Sequence, residues 1–386
     1  MLLAATSAEI ASAFVEIGAI AVGLSFLALI AGRFGITAVP LYLIAGLAFG
    51  NGGIVDLRMS EDFISITAEI GVLLLLLTLG LEYTGDELRS GLRTGVRPGL
   101  LDAVANATPG FLLGVVLGWG IPAAVLLGGV SWISSSGVIS KVLADLNRLG
   151  NRETPAVLNL LVTEDLAMAV YLPIAAALVI GGSASETTTT VAIAVSVVLV
   201  ILWAGLRFGD HLSRSMAIGS DETLLLAVFG LTLVVAGLAQ HLQVSAAIGA
   251  FLVGLALSGE AQQRAGRLIE PLRDLFAAVF FVFFSFQIDP ADLPAVLVPA
   301  IVLAVVTSAT KVATGWYAAA RIGVAKRGRM RAGTALMARG EFSIVIAALG
   351  ASLVEGAELA ALAAAYVLLT AIAGPVLTKY ADRLVR

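Results

Sequence analysis

The chain has 386 residues, 59% of them hydrophobic and only 13% charged, with a net charge of −4. Soluble domains carry roughly 25% charged residues, so a soluble fold would be nearly all core with hardly any surface, and that class is excluded. The absence of cysteine excludes a disulfide scaffold, a thiolate metal centre and cysteine catalysis, and the negative charge argues against a nucleic-acid partner. At roughly 30 residues per membrane pass, counting a helix of about 20 apolar residues and its connection, the length suits a polytopic, all-α membrane protein of about thirteen spans.

The first 33 residues lack the basic start of a signal peptide, carrying Glu9 and Glu16 instead, and their apolar run is too long for one. They form the first membrane helix. Breaks at glycine, proline and charge clusters then divide the chain into apolar segments at about 9–31, 36–53, 62–83, 97–118, 121–144, 155–180 and 187–208, followed by 221–241, 244–258, 267–287, 294–320, 330–352 and 357–381. Thirteen is odd, so the termini lie on opposite sides. The odd-numbered connections and the C-terminus hold 20 of the 23 Lys and Arg residues, and the even-numbered ones only Arg58. The positive-inside rule places the N-terminus outside and the C-terminus in the cytoplasm of a multi-pass cell-membrane protein.

The sequence echoes itself. Gly46-Leu-Ala-Phe-Gly50 in the second segment matches Gly254-Leu-Ala-Leu-Ser258 in the ninth. Leu79-Gly-Leu-Glu-Tyr-Thr-Gly-Asp-Glu-Leu88 returns 205 residues later as Phe284-Ser-Phe-Gln-Ile-Asp-Pro-Ala-Asp-Leu293. An offset of seven helices reverses orientation, so segments 1–6 and 8–13 read as two inverted six-helix repeats with the seventh as connector.

Three features read as structural. Gly110, Gly114 and Gly118 have helix-packing spacing. Asn106-Ala-Thr108 fits a glycosylation acceptor but lies inside an apolar segment. His211 and His241 stand at segment ends as interfacial histidines.

An ionisable group near the bilayer centre is costly and functional by default. Glu82, Asp86 and Glu87 sit at a helix end, and Glu16, Glu69 and Asp102 lie within about two turns of one, where snorkelling or a cavity-facing placement accounts for them without a catalytic role. Five charges remain deep: Glu164, Asp165, Lys311, Arg339 and Glu341. One carboxylate among them is unmatched, and it must take a proton or hold a cation. A group choosing between H⁺ and a metal ion is the core of an exchanger.

Segment 5 carries Ser131-Trp-Ile-Ser-Ser-Ser-Gly-Val-Ile-Ser140. Its Ser134, Ser135, Ser136 and Gly137 are poor helix formers whose hydroxyls compete for backbone bonds. Inside a span, this run predicts a broken helix whose freed groups face an ion rather than lipid. Repeat symmetry makes the partner segment 12, at Ala338-Arg-Gly-Glu-Phe-Ser343. Lys311, Arg339 and Glu341 are suited to balance the partial charges of the half-helix ends there.

Taken in order, Leu79-Gly-Leu-Glu82, Ser134–Ser136, Glu164-Asp165, the stretch from Pro271-Leu-Arg-Asp274 to Ile288-Asp-Pro290, and Arg339-Gly-Glu-Phe-Ser343 resemble the Kef-type branch of the monovalent cation:proton antiporters (CPA2 family). The resemblance covers essentially the whole chain. It implies the NhaA/NapA-like elevator fold with crossed broken helices, working as a homodimer in the lipid bilayer. One bundle (about 1–95 and 221–293) would be the dimer scaffold, and another (about 96–180 and 294–386) the moving ion-transporting core, joined by the linker helix near 187–208. Asp165 matches the family's essential aspartate, alternately protonated and bound to the transported K⁺ or Na⁺. Glu164 stands where relatives have Asn, Asp or Gln. Lys311 matches the lysine that pairs with the acid before the essential aspartate, and Ser134, Ser135 and Ser136 match the stretch lining the ion site. Arg339 and Glu341 remain charge-compensating residues.

The resemblance also implies a nucleotide-binding regulatory domain after the membrane part in larger relatives. This chain is expected either to be a truncation, to stand alone, or to use a separate soluble cytoplasmic regulatory subunit. The mechanism expected is alternating access with H⁺ and a monovalent cation as cargo and no resident cofactor. A cation channel or regulated efflux pathway is the alternative, but no filter motif is present. Enzymatic chemistry is not expected, because neither histidine can serve the serine run as a base.

Overall fold

Twelve of the thirteen expected segments are helical in the computed structural model, which describes residues 7–34, 38–50, 61–81, 96–180, 219–241, 246–286 and 288–385, with isolated positions between 189 and 213. The expected seventh segment, His211 and the Glu82–Leu88 part of the repeat lie outside the described residues. Among those residues there are helices and no strands. The first group in chain order is α1 (Ser7–Phe34), α2 (Val39–Phe49), α3 (Glu61–Leu81) and α4 (Val96–Val116). Then come α5 (Ile121–Trp132), α6 (Ser136–Asp145), α7 (Thr154–Ile180), α8 (Asp221–His241), α9 (Ala246–Ala256) and α10 (Gly259–Phe286). The last are α11 (Leu293–Arg321), α12 (Lys326–Ala335), α13 (Glu341–Ala348) and α14 (Gly356–Tyr380).

Among the described residues, six stretches are each long and apolar enough to cross a membrane, including Arg97–Val116, Ile121–Ile139, Thr154–Ile180 and Pro290–Arg321. Helix α11 shows how the chain sorts its residues. Val296, Ala300, Leu303, Thr307, Lys311 and Thr314 recur every three or four positions and are buried, whereas Val298 and Val305 on the opposite face are 68% and 64% exposed. The polar groups face inward and the valines outward, the reverse of a soluble amphipathic helix and the arrangement that lipid favours.

Helices α2, α3, α9 and α10 pack on one another, with α8 against α9; α4, α5, α7, α11, α12, α13 and α14 form a second group around α11 and α14. The two echoed glycine motifs occupy corresponding contacts. At Gly46 on α2, a Cβ would collide with the Val282 carbonyl of α10; at Gly254 on α9, it would collide with the Leu77 carbonyl of α3. The Gly110–Gly114 spacing is a packing seam. A Cβ at Gly114 would lie 2.7 Å from the Cα of Ala124, so α4 and α5 meet at backbone distance.

Candidate ion site at the crossing of two broken helices

The serine run breaks its helix as expected. α5 ends at Trp132, Ile133–Ser135 are irregular, and α6 starts at Ser136. The second break lies between α12 and α13, over Leu336–Gly340. The breaks cross, and the Ser135 N–H donates to the Ala338 carbonyl at 2.9 Å.

Four half-helix ends therefore meet in the interior, and two residues serve them. The Arg339 guanidinium, fully buried, donates to the Ser131 carbonyl from Nε (3.1 Å) and Nη2 (2.9 Å), and to the Leu336 and Met337 carbonyls from Nη1 (3.0 and 3.2 Å). Those carbonyls are the C-terminal ends of α5 and α12, each carrying about half a negative charge. Glu341 begins α13 and accepts the Ser135 hydroxyl at 2.9 Å. The same Ser135 oxygen accepts the Val138 N–H at 3.3 Å, capping α6. Glu341 thus lies between the two N-terminal ends, each about half a positive charge. Arg339 and Glu341, two residues apart, answer opposite poles and do not form a pair.

The remaining deep charges gather beside this crossing. On α7, Glu164 accepts the Ser134 N–H at 2.6 Å on Oε2 and the Ser134 hydroxyl at 3.2 Å on Oε1. The Ser134 hydroxyl also lies 3.2 Å from the Leu336 carbonyl of the other break. Asp165, next in the chain, is 2% exposed. The α11 ammonium of Lys311 lies 2.8 Å from Glu164 Oε1. It also lies 2.6 Å from Asp102 Oδ2 on α4.

That last contact corrects the sequence reading of Asp102, which had placed it as a snorkelling or cavity-facing group near a helix end, outside the set of deep charges. Its side chain is fully buried. Distance along α4 misled, because Asp102 faces α11 rather than the helix terminus; Oδ1 accepts the Thr314 hydroxyl at 2.7 Å and the Asn106 amide at 2.9 Å. Asn106 accepts the Thr310 hydroxyl in turn at 2.7 Å, so the apparent glycosylation site is an interior hydrogen-bonding residue. The signal that could have found Asp102 is the α11 pattern: Thr307, Thr310, Lys311 and Thr314 in eight residues ask for a polar partner on a facing helix.

Lys311 is consequently shared by two carboxylates and sits at neither break, unlike Arg339 and Glu341. With those two assigned to half-helix ends, two buried carboxylates, Asp102 and Glu164, share the one buried ammonium, and Asp165 is buried next to Glu164 in the chain.

Two hollows approach the crossing. One of about 790 Å³ is lined by Ser136, Gly137 and Glu341 together with Glu270, Arg273 and Asp274 of α10. The other, about 560 Å³, is lined by Glu69 of α3, Phe280 and Phe284 of α10, and Val345 and Leu349 of α13. Both border α10, where Phe281 lines the first and Phe280 the second.

A polytopic helical protein with two broken helices crossed over buried carboxylates has the architecture of a secondary carrier of the exchanger class. The family model described as the transmembrane sodium/hydrogen exchanger matches residues 19–381. The chain belongs to that family. Its relatives include the K⁺/H⁺ antiporter subunit KhtU of Bacillus subtilis, 33% identical over 96% of this chain and 94% of that one. The ammonium/H⁺ antiporter subunit AmhT of Alkalihalophilus pseudofirmus is 28% identical over 89% of this chain and 86% of that one. In fold, the chain is similar to the sodium proton antiporter MjNhaP1 of Methanocaldococcus jannaschii, with a TM-score of 0.72, 16% identity and coverage of 97% of this chain and 98% of that one.

Proposed function

We propose that the chain exchanges a monovalent cation, K⁺ or Na⁺, for protons by alternating access, with Asp165 binding H⁺ and the cation in turn. One observation carries the reading: the buried carboxylates of Asp102 and Glu164 share a single ammonium, Lys311, and Glu164 reaches from there into the crossing of two broken helices. Moving that excess negative charge through hydrocarbon would cost several kcal/mol. The core therefore crosses readily only when a cation or a proton offsets it, and this coupling makes the transport an exchange.

In the cycle, Asp165 and Glu164 receive the cation in the break lined by Ser134–Ser136, and the loaded core then turns from one hollow to the other. The cation leaves, Asp165 takes a proton, and the core returns. The scaffold is the group containing α1–α3 and α8–α10, and it pairs two copies as a homodimer. The core is the group around α11 and α14. The matching glycine contacts of α2 on α10 and α9 on α3 favour inverted repeats. The basic connections put the C-terminus in the cytoplasm. KhtU and AmhT are each named as antiporter subunits, which favours a separate regulatory partner for this chain.

The test is dequenching of a pH-sensitive dye in proteoliposomes on addition of Na⁺, K⁺ or Li⁺ separately, with wild type and Asp165→Asn side by side. At least one cation should collapse the gradient in wild type, and none in Asp165→Asn, which should remain a folded dimer on size exclusion. Absence of any wild-type response, or half of it surviving in Asp165→Asn, would overturn the reading.

A further inference from the structure

We propose that Asp102 is a positioning residue of the exchange reaction. By holding the Lys311 ammonium toward α4, it limits how strongly Lys311 competes with the transported cation for Glu164. The inference rests on the function proposed above and adds to it a residue that never touches the cation.

The geometry gives Lys311 two partners of different kinds. Asp102 belongs to a closed joint between α4 and α11. The Asn106 amide donates both to the Asp102 carboxylate and to the Asp102 backbone carbonyl, at 2.9 Å each. Its orientation is set by the Thr310 hydroxyl on its oxygen. Thr314, one turn from Lys311 on α11, completes the frame at 2.7 Å. The Lys311 ammonium and the Asn106 amide nitrogen can only donate, so this frame is built for an acceptor, and both carboxylate oxygens are used. Every member lies on α4 or α11, two helices packed along their length, so the joint moves as one body.

Glu164 is the partner of the second kind. It reaches from α7 to the Ser134 N–H and hydroxyl in the helix break, where the transported cation is to sit. The ammonium on Glu164 Oε1 and a cation at the break draw on the same negative charge. The two carboxylates facing Lys311 are Asp102 from α4 and Glu164 from α7. Take away the charge of Asp102, and the whole of Lys311 falls on Glu164. The cation then meets a better-neutralised carboxylate and binds less well.

The experiment measures initial exchange rate against cation concentration at fixed pH in proteoliposomes of wild type, Asp102→Asn and Asp102→Glu. Asp102→Asn should raise the apparent cation KM about tenfold and change the maximal rate far less, because the interaction lost acts on ground-state binding. Asp102→Glu, which restores the charge, should bring the KM back toward wild type. In a Lys311→Gln background, adding Asp102→Asn should leave the KM where Lys311→Gln put it, because Asp102 acts through Lys311. That pair also carries the test if Asp102→Asn alone does not fold. A fall in maximal rate and melting temperature at unchanged KM would make Asp102 a structural residue and overturn the inference. A KM shift that persists without Lys311 would also overturn it. Either failure in a protein whose wild type exchanges cations for protons leaves the function standing; failure of wild-type exchange sinks the function itself.

Discussion

The N–H of Ser135 and the carbonyl of Ala338 are joined by a 2.9 Å hydrogen bond, although 203 positions separate them in the chain. Each group is free only because its own helix is broken there, so each break satisfies the other. The two breaks are one structural unit. A change in one moves the half-helix ends of the other, and with them Arg339, Glu341 and the Ser134 contacts of Glu164.

Gly340 tests this unit. A Cβ there would lie 2.5 Å from Ser135 Oγ and 2.8 Å from Ser135 Cβ, so Gly340→Ala must push the two irregular stretches apart. We expect it to fold, with a modest loss of melting temperature, and to lose most of its exchange because the Ser135–Ala338 and Ser135–Glu341 bonds are spread. Proteoliposome assays beside thermal melts check this; wild-type exchange in Gly340→Ala would show that the close approach is dispensable.

Arg339 satisfies carbonyls from two helices at once. Removing it takes the charged donor from three buried carbonyls, leaving Ser131 with the Tyr366 hydroxyl at 3.4 Å and Leu336 with the Ser134 hydroxyl at 3.2 Å; each buried group left unsatisfied costs about 1–3 kcal/mol. Arg339→Ala should therefore lower the melting temperature in detergent markedly. Arg339→Lys should not rescue it, because one ammonium lacks the planar fork that reaches Ser131 on one side and Leu336 and Met337 on the other. Equal melting temperatures for Arg339→Lys and wild type would refute the double-capping role.

The sequence made the broken helices legible because poor helix formers inside an apolar span leave few alternatives. The spacing of Arg339 and Glu341 was equally informative, since residues two apart on a chain point in different directions. Asp102 was hidden for a physical reason: a linear pattern reports depth along a helix, not which face meets a neighbour. Four residues from Asp102, Asn106 was set aside as a glycosylation acceptor, but its Thr310 partner on the facing helix was hidden for the same reason. The start of α10 was also read late, since Glu260, Arg264 and Arg267 looked like a connection, yet the helix runs unbroken from Gly259.

At the end bearing the basic connections, Asp382 accepts Arg331 Nε at 2.6 Å and lies 3.4 Å from Arg148, which also donates to the Thr378 carbonyl. The hydrogen bond from Arg331, helped by nearby Arg148 and Arg327, holds the Asp382 carboxyl below the usual carboxylate range. A carboxylate depressed in the folded state stabilises above its unfolded value of about 4, and loses that contribution as pH falls through the folded value. The side chain is 37% exposed, so screening limits the contribution to about 1 kcal/mol or less. Asp382→Asn should lower the melting temperature slightly and equally at pH 8 and pH 6, the difference closing only in strong acid. The pH profile of exchange near neutrality should not move; a shift would make this latch part of the transport cycle.

Lys311 gives the sharpest stability test, because it answers two buried carboxylates rather than one. Lys311→Gln strands both Asp102 and Glu164, and breaking a buried pair by removing one partner costs about 3–5 kcal/mol. If Glu164 were the sole partner, Glu164→Gln alongside would restore most of the loss. With Asp102 2.6 Å from the ammonium, that double mutant still holds a carboxylate whose cation is gone, and it should recover only part. Lys311→Gln with Asp102→Asn should likewise recover only part, since Glu164 keeps its Ser134 donors but not its counter-charge. Only the triple mutant has no stranded charge at the joint, and it should approach wild-type stability because neighbours in one network do not add independently. Melting temperatures of the five proteins in one detergent decide the matter. Full recovery in Lys311→Gln/Glu164→Gln would mean that Asp102 carries no charge for Lys311 to answer.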